Sequence, residues 1–275
     1  MKLVLGTAQF GLKYGINQSK VNIKEVRMID KILQKKSISY IDTATSYGNS
    51  EKIISKIRTR KNVITKIKLP QKTPKDIEKW FNDTLKMSLN NLKIKKLYGL
   101  LIHDTKDLFN QKELINCLMN AKKKKYVKKI GISVYDPDEI IKIIKIWTPD
   151  IIQLPVNILD QRFLKNNLLS KLKKLKIKIF ARSCFLQGLL LKKRSGSIKN
   201  VNLKKFIFWC KKEKVSQLKA CIDFIKNVKK IDFLVIGVDS NKQLKQIIDA
   251  FCSETKKIPN QFECLNKNII DPRRW

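Results

Sequence analysis

Short, nearly continuous apolar runs alternate along this chain with longer stretches of helical period. The short runs are Leu3–Gly6, Tyr40–Thr43, Asn62–Lys66, Tyr98–His103, Lys129–Ser133, Ile151–Pro155, Lys178–Arg182 and Phe233–Gly237. Strands of a parallel sheet are covered on both faces and read as unbroken apolar segments, so these eight are predicted to pair in parallel. The segments between them carry helix-start signals. Thr73-Pro74 predicts one start, with Pro74 in the first turn and Asp76 as the reciprocal acid of a near capping box. Ile77, Trp80, Phe81, Leu85, Leu89 and Leu92 then recur at a 3.6-residue period. Asp136-Pro137-Asp138-Glu139 repeats the signal ahead of Ile140, Ile143, Ile144 and Trp147, and Ser240 precedes the stripe Leu244, Ile247, Ile248, Phe251.

Eight strands alternating with helices predict an α/β fold, a (β/α)8 TIM barrel forming a single domain over residues 1–275. Within it, 192–230 reads as an extended crossover of loop and helical pieces, and 252–275 as a C-terminal tail. A doubly wound sheet is the competing layout. Its glycine fingerprint is missing, because the early glycines Gly6, Gly11 and Gly15 form no G-x-G-x-x-G after the first strand.

Composition narrows the function classes. The chain has 275 residues, 43% of them hydrophobic, which suits one barrel of about 250 residues with a substantial core. No apolar run approaches the roughly 18 residues of a membrane span. The break at Gly6-Thr7-Ala8-Gln9 leaves no signal-peptide core, so a cytoplasmic location is expected. Six cysteines stand singly with one histidine to help, a pattern that predicts no metal site and no disulfide framework.

The net charge of +37 admits two explanations. A polyanion-binding protein would concentrate its cations on one face and use arginine forks as well as lysines. Here lysine dominates and is spread over predicted helix faces, so compositional drift is expected and nucleic acid is not the expected partner. The surface would still attract anionic substrates at low salt.

In a barrel of this kind, chemistry sits at the carboxyl ends of the strands. Four polar residues converge there: Asp42 ends the second strand, Tyr47 follows in its loop, Lys66 ends the third, and the sole histidine, His103, ends the fourth. Singly, each has an ordinary structural explanation as a loop cap, a packed ring or a snorkelling amine. Together, they converge from three successive strands on one rim.

The stretches Gly6-Thr7-Ala8-Gln9-Phe10-Gly11, Asp42-Thr43-Ala44-x-x-Tyr47-Gly48-x-Ser50-Glu51 and Ile102-His103 resemble the aldo-keto reductase family, over about residues 3–251. Gly6 through Ile16 together with Arg182-Ser183-x-Phe185-Leu186-Gln187-Gly188-Leu189-Leu190 is similar to a branch associated with sugar and surface-polysaccharide biosynthesis. The resemblance implies reduction of an aldehyde or ketone, a sugar-pathway intermediate being favoured, with NADPH or NADH as cofactor. Tyr47 would be the general acid, its phenol brought down from about 10 by Lys66, which Asp42 holds, while a neutral His103 orients the carbonyl. The cofactor would lie on Ser133 and Gln153 at its nicotinamide end. Arg182, Ser183, Gln187, Gly188, Gly237, Ser240, Asn241 and Gln243 would hold the rest, the loops after the seventh and eighth strands, the latter leading into a helix, taking the pyrophosphate and adenosine parts.

Some positions depart from the family pattern. Val134 replaces an asparagine, Arg182 an aromatic ring, Gln243 an arginine, and Gln246 and Ile247 an acid and an asparagine. Cofactor preference therefore stays open between NADPH and NADH. Arg182 reads either as a cofactor contact or as an anchor for an anionic substrate. Tyr14 reads either as a wall of the substrate pocket or as rim packing. A non-catalytic, cofactor-binding regulatory protein is the alternative function, against which the intact quartet argues.

Overall fold

The computed structural model describes residues 1–192 and 200–275. Eight parallel strands, β1 (Lys2–Gly6), β2 (Tyr40–Asp42), β3 (Asn62–Ile67), β4 (Leu97–Ile102), β5 (Val127–Ser133), β6 (Ile151–Pro155), β7 (Lys178–Arg182) and β8 (Phe233–Gly237), close in sequence order into a barrel. The closing pair β1–β8 registers Gly6 with Gly237. The predicted (β/α)8 barrel is therefore the observed fold, with strand ends shifted by no more than two residues. His103 lies one residue beyond β4, not within it.

Two separate apolar layers hold this arrangement. Outward-facing strand residues pack with the helices in one continuous core. Inside the barrel a smaller cluster of Val4, Ile64, Leu101, Ile151, Phe180, Phe233 and Val235 fills the lower half. There the rings of Phe180 and Phe233 stack 4.2 Å apart. That cluster fills the barrel interior beneath the carboxyl ends of the strands.

Helix starts follow local chemistry. At Asp136 the predicted capping box is complete, with Glu139 reaching back to the backbone. At Ser240 the hydroxyl accepts from the Gln243 N–H, as a cap should. Pro74 is not in a first turn, however. The helix spans Ile77–Leu92, and Asp76 is itself the cap, its carboxylate accepting from Lys79 N while its backbone stays extended. A carboxylate that satisfies the third N–H from the cap position sets the start three residues later than the proline suggested.

The crossover after β7 contains helices Val201–Lys212 and Gln217–Asn227; its residues 193–199 lie outside the described residues. The tail carries a short helix, Lys267–Ile270, and a single turn at Pro272–Arg274. No helix among the described residues is long and apolar enough to cross a membrane.

Candidate active site

A cavity of about 930 Å³ opens at the carboxyl ends of the strands, in the place the barrel leaves free. Asp42, Tyr47 and His103 stand on its wall, while Lys66 lies just beneath. The Lys66 ammonium is 2.6 Å from Asp42 Oδ1 and donates to the Thr43 carbonyl oxygen at 2.9 Å. Asp42 Oδ2 accepts from the Gln153 amide at 2.7 Å. One carboxylate thus joins β2, β3 and β6 at the base of the cavity.

Above this pair the Tyr47 ring lies with its centroid 5.2 Å from the Lys66 nitrogen and 5.7 Å from the His103 ring. His103 Nδ1 faces Ser46 Oγ at 3.1 Å. Burial, together with the charges of Lys66, Arg182 and Lys68, pushes the His103 imidazole down to about 3, so the ring is neutral near pH 7. Burial also lowers the Lys66 ammonium, with Asp42 opposing it. The Tyr47 phenol does not follow the lowered value expected from the sequence. Burial and then the Asp42 carboxylate push it up, because Asp42 already neutralises the lysine charge that would have favoured a phenolate.

The loop carrying Tyr47 is pinned by residues whose purpose the chain alone did not reveal. Ser50 Oγ donates to the Thr7 carbonyl at 2.9 Å, and Thr7 Oγ1 donates to the Asp42 carbonyl at 2.9 Å. The buried Glu51 carboxylate accepts from Thr65 at 2.8 Å and from Ser88 at 2.6 Å. Gly11 fits against this loop because it has no side chain: a β-carbon there would overlap the Tyr47 carbonyl oxygen and stand 2.7 Å from Ser50 N. The two glycine-rich and acidic strings quoted from the sequence are therefore halves of one clamp.

Most of the residues expected to hold a cofactor share the same cavity. Ser133 and Gln153 are register partners at the ends of β5 and β6, and both reach the wall. Arg182, Ser183, Gln187 and Gly188 line it from the loop after β7, and Gly237 and Gln243 from the β8 side. Tyr14 lines it too.

Ser240 and Asn241 do not reach it. The Ser240 hydroxyl is used as the helix cap, and Glu25 accepts from both the backbone and side-chain amides of Asn241 at 2.7 and 2.9 Å. The Asn241 backbone N–H at this helix start is thus taken by a carboxylate of the chain itself.

The first loop crosses the cavity mouth. Ile16 N donates to the Gln187 carbonyl at 3.1 Å on one side, and Ser19 Oγ donates to Asp239 Oδ1 at 2.6 Å on the other. Gly188, at φ +95°, takes the left-handed turn that this contact requires. A second feature absent from the sequence reading is Tyr135, just past β5. The Arg182 guanidinium carbon lies 4.0 Å from its ring centroid and that of Arg273, from the tail, 3.6 Å.

The model of the Aldo/keto reductase family matches residues 2–265. The chain belongs to the aldo/keto reductase family. Among solved structures, it is similar to the holo form of the aldo-keto reductase AKR11C1 from Bacillus halodurans. There the TM-score is 0.76 at 18% identity, with 93% of this chain and 88% of that one covered. It is also similar to the glycerol dehydrogenase AKR11B4 from Gluconobacter oxydans, at TM-score 0.71 and 17% identity, covering 93% and 87%. No curated protein sequence matches it. For this aldo/keto reductase barrel, the family supports an oxidoreductase that reduces carbonyl compounds.

The cavity suits the nicotinamide dinucleotide that the family implies. Gly6 and Gly237 face each other at the closing seam, and Ser133 and Gln153 offer a hydroxyl and an amide side by side for a carboxamide.

Proposed function

We propose that the chain reduces an aldehyde or ketone to an alcohol, with Tyr47 as the general acid and a sugar-pathway intermediate as the favoured kind of substrate. The observation that carries this is the Tyr47–His103 pair on a cavity wall directly above the buried Lys66–Asp42 ion pair. A bound NADPH or NADH supplies the hydride.

The chain's own residues do the rest. Tyr47, whose burial keeps it protonated, donates its proton to the carbonyl oxygen as negative charge builds there. The phenolate that is left stands above the Lys66–Asp42 pair, its ring centroid 5.2 Å from the Lys66 nitrogen, and then takes a proton from solvent. Asp42 fixes Lys66 and, through Gln153, ties it to the strand expected to meet the nicotinamide. In the tautomer in which Nδ1 accepts from Ser46 Oγ, 3.1 Å away, the neutral His103 ring carries its proton on Nε2, where it can donate to the same carbonyl oxygen. Ser183, Gln187 and Gly188 beyond β7 and Gly237 and Gln243 beyond β8 line the remaining length of the cofactor cavity. Gln153 contributes mainly by holding Asp42, with Ser133 the freer contact for a carboxamide.

The test is separate titration with NADPH and NADH, followed by loss of reduced-cofactor absorbance with a panel of aldehydes and keto sugars. Binding of at least one dinucleotide and turnover of at least one carbonyl are expected. If neither dinucleotide binds, the reading is wrong; binding with no turnover of any carbonyl leaves the regulatory alternative.

A further inference from the structure

Arg182 stands at the end of β7 on the wall of the same cavity, and it has no acidic partner among the described residues. Its guanidinium has five N–H donors. Two contacts are made, both to neutral oxygens: the Val134 carbonyl at 3.0 Å and Ser183 Oγ at 3.3 Å. The other arginines around the rim are neutralised. Arg162 pairs with Asp160 at 2.8 Å, and Arg273 is held in a two-point grip by Asp271, at 2.9 and 2.6 Å. Lys66 is cancelled by Asp42. Among the described residues, Arg182 is the arginine on the cavity wall and it is left without an acid, and its charge is felt by Tyr14, Tyr47, Lys66 and His103 alike.

Its orientation is fixed from outside the barrel. With guanidinium carbons 4.0 and 3.6 Å from one ring centroid, Arg182 and Arg273 cannot share a face of Tyr135, so the ring lies between them. The tail residue Arg273 therefore presses Tyr135 against Arg182, and Asp271, itself buried, anchors Arg273. A half-buried cation braced in this way and left without a counter-ion is complete only when a ligand brings one.

We propose that the carbonyl substrate carries an anionic group, a carboxylate or a phosphate ester, which Arg182 receives, and that Arg273 positions Arg182 through Tyr135. This rests on the carbonyl-reducing reading of the cavity and names the substrate class within it. Arg182 then belongs to the substrate and not to the cofactor.

The experiment compares kcat/KM for two matched pairs at physiological salt, where a Debye length of about 8 Å damps the general attraction of a +37 surface. Butanal against 4-oxobutanoate tests a carboxylate, and glyceraldehyde against glyceraldehyde 3-phosphate tests a phosphate. At least one charged member is expected to lead its neutral partner roughly tenfold or more, as a charge-assisted fork should. Arg182→Gln should erase that lead, and Arg182→Lys, keeping the charge without the fork, should restore only part of it. Arg273→Gln should raise KM for the charged aldehyde more than it lowers kcat.

The proposal is overturned if neutral members are used as well as charged ones, or if the lead survives Arg182→Gln. It is also overturned if Arg182→Gln loses dinucleotide affinity in fluorescence titration as fast as it loses the lead. Failure of all four aldehydes would count against the parent reading alone. Calorimetric titration with succinate and with inorganic phosphate then decides separately, and equal binding by wild type and Arg182→Gln rejects the anion site.

Discussion

The Lys66 ammonium lies 2.6 Å from the Asp42 carboxylate, with 1% and 5% of the two side chains exposed. Two opposite charges taken this far from water depend on each other, and removing either strands the other. Asp42→Asn should therefore cost about 3–5 kcal/mol of stability. Chemical denaturation of the variant checks it. An unchanged unfolding midpoint would mean that Lys66 finds another partner.

Tyr47→Phe keeps the ring and removes only the donated proton. Turnover should fall by about 10²–10⁴-fold, the usual worth of a positioned acid, while dinucleotide affinity stays within about twofold. Steady-state kinetics paired with fluorescence titration separates the two effects. Retained activity would show that the proton comes from elsewhere.

His103 titrates at about 3 in the folded chain, against about 6.5 for a free imidazole. The unfolded chain binds that proton first as pH falls. The stability contributed by the neutral ring is thus complete above about 6.5 and is lost progressively towards 3. Wild type should lose more stability than His103→Gln between pH 7 and pH 4.5, measured as urea midpoints, and parallel losses would contradict this. For the same reason kcat/KM should show no imidazole inflection between pH 5 and 8.

Gly11→Ala places a methyl group into the backbone of the Tyr47 loop. The loop has to move, and overpacking of this kind costs about 1–3 kcal/mol or more. Because the displaced segment carries Tyr47, kcat should fall along with the melting temperature. Normal activity in a destabilised variant would separate the clamp from catalysis.

Ser19 reaches across the cavity mouth to Asp239 at 2.6 Å. Ser19→Ala removes that link and should speed dinucleotide release about fivefold, equivalent to ~1 kcal/mol for one hydrogen bond. Stopped-flow displacement measures the rate directly. An unaltered rate would mean that the first loop does not govern exit.

The fold was legible because its signal is local. Each of the eight strands is an apolar run whose meaning does not depend on its neighbours, and Asp136 and Ser240 mark helix starts through bonds to residues two or three positions away. Asp76 shows where that reasoning slips. Whether the cap is Asp76 or a residue nearer Pro74 depends on which N–H the carboxylate meets, a matter of a few residues that spacing alone leaves open. Asp42, Tyr47, Lys66 and His103 were legible as a set because strand ends in a barrel all point to one rim.

By itself, then, the chain determined the barrel, its strand ends and the four side chains gathered there, since those follow from apolar period and strand order. Only the tertiary structure decided how their charges balance. Lys66 is already spent on Asp42, so the Tyr47 phenol is held protonated and not lowered. Glu25, more than two hundred residues away in sequence, accepts from the Asn241 amides at the start of the helix after β8. Arg273, near the chain's end, reaches Tyr135 and through it Arg182. Electrostatic partners act through a few ångströms of space whatever their separation along the chain, and so these pairings become visible only once the barrel has closed.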